Sequence, residues 1–144
     1  MSQSMSPSKN ACIVFLVLSE TSVRDFIENR LHEHGALVFS TSTTASARQF
    51  LNAYQGDLHL IIVEHHLPGG DGLELAAAIA RARPNARVVL MTEAASRHYL
   101  HDWHGRILTK PLDAEALRVQ LAQALDAIPC EMASPKVRAS EAGL

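Results

Sequence analysis

The run Leu58-His59-Leu60-Ile61-Ile62-Val63-Glu64-His65-His66-Leu67-Pro68-Gly69-Gly70-Asp71-Gly72 decides how this chain folds. An apolar stretch rich in β-branched residues ends abruptly in a carboxylate, and a Pro-Gly-Gly turn and an amphipathic segment follow it. A continuous apolar run bounded by turn residues is the pattern of a strand buried on both faces, as in a parallel sheet. In open α/β sheets the chemistry sits just beyond the carboxyl ends of such strands. Glu64 stands at that point, so the rest of the chain is read for what it brings there.

Working outward, Ala11–Leu18 reads as a second buried strand and Ala36–Ser40 as a short one. Between them Val23, Phe26, Ile27, Arg30 and Leu31 follow helical spacing from Thr21 to His34, with Ser19 or Thr21 as cap and Gly35 as stop. Thr43 or Thr44 caps a helix to about Tyr54, with Ala47, Phe50, Leu51 and Tyr54 on one face. Beyond the central strand, Asp71 or Gly72 opens a helix to Arg83 carrying Leu73, Leu75, Ala76, Ile79 and Ala80. Arg87–Thr92 is another buried strand, Ala94–Asp102 at most a short helix, and Arg106–Thr109 a short strand. After Lys110-Pro111, Asp113 caps a last helix to about Ile128 with Leu117, Leu121, Ala124 and Leu125 inward. Strand and helix alternate five times. That predicts a three-layer, doubly wound α/β fold: a five-stranded parallel sheet in the order 2-1-3-4-5, helices on both faces, and a shortened fourth helix. The expected organisation is a polar, disordered leader over residues 1–10, one domain over 11–128 and a flexible tail over 129–144.

Composition narrows the function. The chain has 144 residues, 47% of them hydrophobic, enough for one domain with a real core. Its formal net charge is -2 with both signs scattered, so neither nucleic acid nor a membrane surface is expected as a partner. Its longest apolar run is far too short to span a bilayer. The polar start carries only Lys9, and Glu20 follows the first apolar run, which argues against a secretory signal. Cys12 falls in a buried strand and Cys130 in the tail, so both are expected to be reduced thiols of a cytoplasmic protein. Leu18-Ser19-Glu20-Thr21-Ser22 has no glycine, so the phosphate loop of a nucleotide site is missing after the first strand.

Four features together resemble a family, the receiver domain of two-component response regulators. They are the strand-end carboxylate before Leu67-Pro68-Gly69, then Asp71-Gly72-Leu73-Glu74-Leu75, Thr92 ending the fourth strand, and Lys110-Pro111 ending the fifth. The similarity runs from about Ile13 to Ala127. It implies phosphoryl transfer from a histidine kinase to an aspartate at the third strand end. A pair of acidic residues after the first strand would help hold Mg²⁺, and a Ser or Thr and a Lys would contact the phosphoryl oxygens. Thr92 and Lys110 match this pattern. The acceptor position, however, is Glu64. The acidic pair falls on Leu18 and Ser19 if Val23-Arg24 sets the register, or on Ser19 and Glu20 one residue along. The aromatic switch position is Ile107, and the stretch from Thr92 to Lys110 is a few residues short.

These losses belong together. Mg²⁺ wants near-octahedral oxygen ligands, usually including one or two carboxylates. Glutamate's extra methylene moves its carboxylate by ~1.5 Å, when a misplacement of ~1 Å can cost ~10²-fold. The expectation is therefore a degenerate, pseudo-receiver pocket with no catalytic residue, Mg²⁺ binding lost or weak, and a Glu64–Lys110 pair to which Thr92 adds a hydrogen bond. Glu64 would act for structure alone or imitate the phosphorylated form. Output would pass to a protein partner, a histidine kinase or another signalling protein, or through a homodimer. Two alternatives stay open: a working phosphorelay receiver, and a small metal-binding α/β protein in which His65, His66, His98, His101 and His104 join Glu64 around a transition metal.

Overall fold

The structure is a computed structural model and describes residues 12–93, 103, 105–110, 115, 119 and 123, with the side chain of Lys110 left aside. In chain order the elements are β1 (Ile13–Val17), α1 (Thr21–Glu33), β2 (Leu37–Thr41), α2 (Thr44–Ala53), β3 (Leu60–Glu64), β4 (His66–Leu67), β5 (Gly70–Asp71), α3 (Gly72–Ala82), β6 (Arg87–Glu93) and β7 (Arg106–Lys110). Five strands form one sheet in the order β2-β1-β3-β6-β7, all parallel. With the two-residue strands β4 and β5 set aside as their own hairpin, this is the expected 2-1-3-4-5 order.

The central strand is buried at every residue, as its unbroken apolar run requires. Alternation then divides the core in two. Val14, Leu16, Leu18, Leu60, Ile62, Val89, Met91 and Leu108 face one way and pack with Ile27 and Leu31 of α1. Phe15, Val17, Ile61, Val63, Val88 and Leu90 face the other way, against Ala47 of α2 and Leu75, Ala76 and Ile79 of α3. Phe50 stacks on Phe15 and on Tyr54, with ring centroids 4.4 and 5.1 Å apart, which seats α2 on the sheet. Of the expected last helix, Glu115, Val119 and Gln123 are described; they are helical and exposed, as one outer face at four-residue spacing should be. Its inward residues, the segment Ala94–Asp102 expected to hold a shortened fourth helix, the leader 1–10 and the tail 129–144 lie outside the described residues. Among the described residues no helix is long and apolar enough to cross a membrane.

Local chemistry corrects two expectations. The N-cap of α1 is Glu20, not Ser19 or Thr21, and no side chain caps the helix. Ser19 is instead drawn to the tip of β3, as described below. Cys12, fully buried, is disulfide-bonded and not a reduced thiol. Its place in the sequence identifies a buried strand start but not what the fold brings beside it. Elsewhere the caps are as read. Thr43 accepts from the Ser46 N–H in a capping box, and Asp71 accepts from the Leu73 N–H.

Candidate functional site: the tip of the central strand

β3 delivers Glu64 to the carboxyl edge of the sheet and α3 begins eight residues later, so the chain must turn back tightly. Gly69 takes φ +85° in that turn, where a side chain would be strained. His66 and Leu67 pair with Asp71 and Gly70 to close the hairpin. Gly72 then opens α3 directly against the strand end. A Cβ at Gly72 would lie 1.8 Å from the Glu64 carbonyl oxygen, so only glycine fits. The Gly72 N–H donates to the His65 carbonyl at 2.8 Å, and the His65 N–H to the Met91 carbonyl at 2.7 Å. Helix start, strand tip and neighbouring strand are thereby fixed to one another.

Glu64 is 6% exposed. A carboxylate so enclosed must be satisfied by hydrogen bonds. Ser19 supplies two, both to Oε1: its backbone N–H at 2.7 Å and its hydroxyl at 2.9 Å. Ser19, common to both registers that the sequence leaves open, is the residue of the β1–α1 loop that faces Glu64. Leu18 turns its side chain into the core at 1% exposure, its N–H donates to the Thr41 carbonyl, and its own carbonyl accepts from Arg24 Nη1 at 2.9 Å. Glu20 is exposed at the start of α1. Arg24 thus holds the loop by its backbone.

Thr92 is 1% exposed, and its hydroxyl hydrogen-bonds the Nδ1 of His65 at 2.9 Å. The expected bond from Thr92 to Glu64 is therefore replaced by one to the next residue. The cause is register: β3 and β6 pair with Glu64 opposite Met91, which sets His65 beside Thr92. The His65 ring also stacks on that of His66, with centroids 4.2 Å apart. Burial pushes the His65 imidazole below its ordinary pKa of 6.5, His66 adds to the depression, and Asp71 opposes it. The sequence offers His65 only as a metal ligand; its contact with Thr92 follows from the strand register.

Lys110 ends β7 opposite Glu93 in the backbone register, and the Glu64–Lys110 pair rests on a side chain outside the described ones. Ile107, at the aromatic switch position, is partly buried against the α2–α3 side of the sheet. His98, His101 and His104 lie outside the described residues. Among the described residues no group of three or more His, Cys, Asp or Glu is placed to hold a metal ion.

With this geometry in hand, comparison with known proteins adds family and fold. A family model described as the response regulator receiver domain matches residues 14–122. Comparison with curated proteins finds no match. Among solved structures, the signal receiver domain of an HD-domain-containing protein from Pseudomonas fluorescens is 25% identical, covering 81% of this chain and 95% of its own, with TM-score 0.63. The response regulator TrrA from Thermotoga maritima, in complex with magnesium and beryllofluoride, is 22% identical, covering 78% and 98%, with TM-score 0.65. A CheY-like receiver domain protein from Methanospirillum hungatei is 18% identical, covering 81% and 94%, with TM-score 0.65.

Proposed function

The chain belongs to the response-regulator receiver domains of two-component signalling, and on that premise we propose that it is a receiver without phosphoryl capture, an interaction module that works by protein contact and catalyses nothing itself. The observation that carries this reading is the double hydrogen bond from Ser19 to Glu64. At the strand tip, a serine stands where an acidic metal ligand would be needed, and it donates to the carboxylate. The two bonds occupy one oxygen of the carboxylate, and a magnesium ion asks for more oxygen donors around it than the other oxygen supplies. Leu18 is packed in the core and offers none, and Glu20, the N-cap of α1, is exposed. The donor set does not fit Mg²⁺. Without the metal the charge of a transferring phosphoryl group goes unneutralised, and the longer glutamate is out of line for attack.

Glu64 then serves as a permanent negative charge near the place a phosphoryl group would take, an imperfect mimic with one charge where a phosphoryl group carries nearly two. The signal passes to a protein partner, a histidine kinase or another signalling protein, or to a second copy of the chain. The reading is tested by incubation with acetyl phosphate and Mg²⁺ followed by intact mass spectrometry. The expected mass is unchanged. A gain of one phosphoryl group, on Glu64 or elsewhere, establishes a working phosphorelay receiver instead.

A further inference from the structure

The opposite margin of the sheet carries a feature that the receiver pocket does not use. β6 and β7 both begin with arginine, Arg87 and Arg106. The register pairs Val89 with Arg106, so Arg87 sits two residues before its neighbour's partner. Two residues is one full period of the pleat, so both arginines share a face of the sheet, that of Val89 and Leu108. Adjacent parallel strands with a two-residue offset place the two Cα atoms about 8 Å apart. Both Nε atoms are buried and have no hydrogen-bond partner. Among the described residues no carboxylate pairs with either arginine.

Both side chains are only partly buried, so the cost falls on the two withdrawn Nε atoms. A guanidinium is permanently charged, carries five N–H donors and accepts nothing. Burying one of those donors unpaired is unfavourable, and two like charges on one face repel. We infer that the N-terminal margin of β6 and β7 binds a phosphate-class oxyanion between Arg87 and Arg106. The chemistry favours a tetrahedral dianion over a carboxylate. A carboxylate has two oxygens and one charge and is saturated by one guanidinium fork. A phosphate group has oxygens for two forks and close to two charges to set against both. The site is independent of the reading given to Glu64. From Arg87 to Thr92 the strand advances about 16 Å, so the two sites lie at opposite ends of the sheet.

Titration of the isotope-labelled chain with sodium phosphate, against sodium chloride at equal ionic strength, tests this by amide NMR. Phosphate is expected to shift the Arg87 and Arg106 amides and their strand neighbours saturably, with chloride leaving them in place. Arg87→Gln and Arg106→Gln are each expected to weaken binding about tenfold or more. Should a glutamine variant not fold, Arg87→Lys and Arg106→Lys serve, since they keep the charge but lose the fork and still weaken binding. Shifts that match those in chloride, that centre on Glu64 and Thr92, or that survive unchanged in the arginine variants overturn the assignment.

Discussion

Ser19 shows how one side chain redirects a site. It reads as a helix cap, and serine is a good one. In the structure both its donors go to Glu64, and α1 starts at Glu20 without a side-chain cap. A buried carboxylate gains more from two donors than a helix end gains from one, because hydrogen bonds to a charged group are about twice as strong as neutral ones. Ser19→Ala removes the hydroxyl and leaves the N–H, so it should destabilise the fold by about 1.5 kcal/mol. Ser19→Thr should recover most of that, and urea unfolding of the three proteins measures both. The sequence left two registers open for this loop because Leu18, Ser19 and Glu20 differ by a single step along the chain. In the structure Leu18 packs into the core, away from the tip, while Ser19, common to both registers, touches the carboxylate. His65 carries the second residue-scale prediction. Its folded pKa lies below the unfolded value of 6.5, so the unfolded chain binds the proton more readily. Stability is therefore fully present above 6.5 and falls as the pH drops from there through the folded pKa. Urea midpoints measured from neutral to mildly acid pH should decline in the parent and decline less in His65→Gln. An equal decline in both would assign the effect to other groups.

At the scale of elements, the parts legible in sequence were those with redundant signals. β3 is announced by an apolar run, a carboxylate and a turn together, and it forms at Leu60–Glu64 within the expected Leu58–Glu64. The helices α2 and α3 are announced by caps as well as periodicity, and both caps are found. What sequence did not reveal are contacts between elements, such as His65 with Thr92 across 27 residues, which depend on strand register. The junction of β3 and α3 is the tightest of these contacts, and it separates two kinds of substitution. Thr43→Ala removes a capping box at an accessible helix start and should cost about 1 kcal/mol. Gly72→Ala inserts a methyl group 1.8 Å from a backbone oxygen that cannot yield without moving the strand tip. It should cost about 3 kcal/mol or more, or prevent folding. Thermal melts of the two variants rank them; a mild effect at Gly72 would mean that α3 can slide away from β3.

At the scale of the molecule, the sheet keeps the receiver framework, and the proposed function places the difference in chemistry at its carboxyl edge. Order, register and the positions of Glu64, Thr92 and Lys110 at strand ends depend on the two core layers, and those layers do not depend on which donors surround Glu64. Scaffold and site are separable here, as they are in many widely used folds. On the proposed function, separability implies that phosphoryl capture can be built in from the inside. Ser19 is the position to change first, because it already touches the carboxylate and Leu18 does not. Ser19→Asp alone would set two carboxylates against each other at the tip, which favours recruiting a cation. Glu64 would still be too long for in-line attack. Ser19→Asp combined with Glu64→Asp supplies both a second carboxylate and the shorter reach, so it should take up one phosphoryl group from acetyl phosphate. That uptake should require Mg²⁺ and disappear with a chelator. The parent and the Ser19→Asp single variant, treated identically and weighed by intact mass spectrometry, should remain unmodified. If the double variant also stays unmodified although folded and able to bind Mg²⁺, the deficit lies beyond these two positions, and the segment between Thr92 and Lys110 becomes the next place to look.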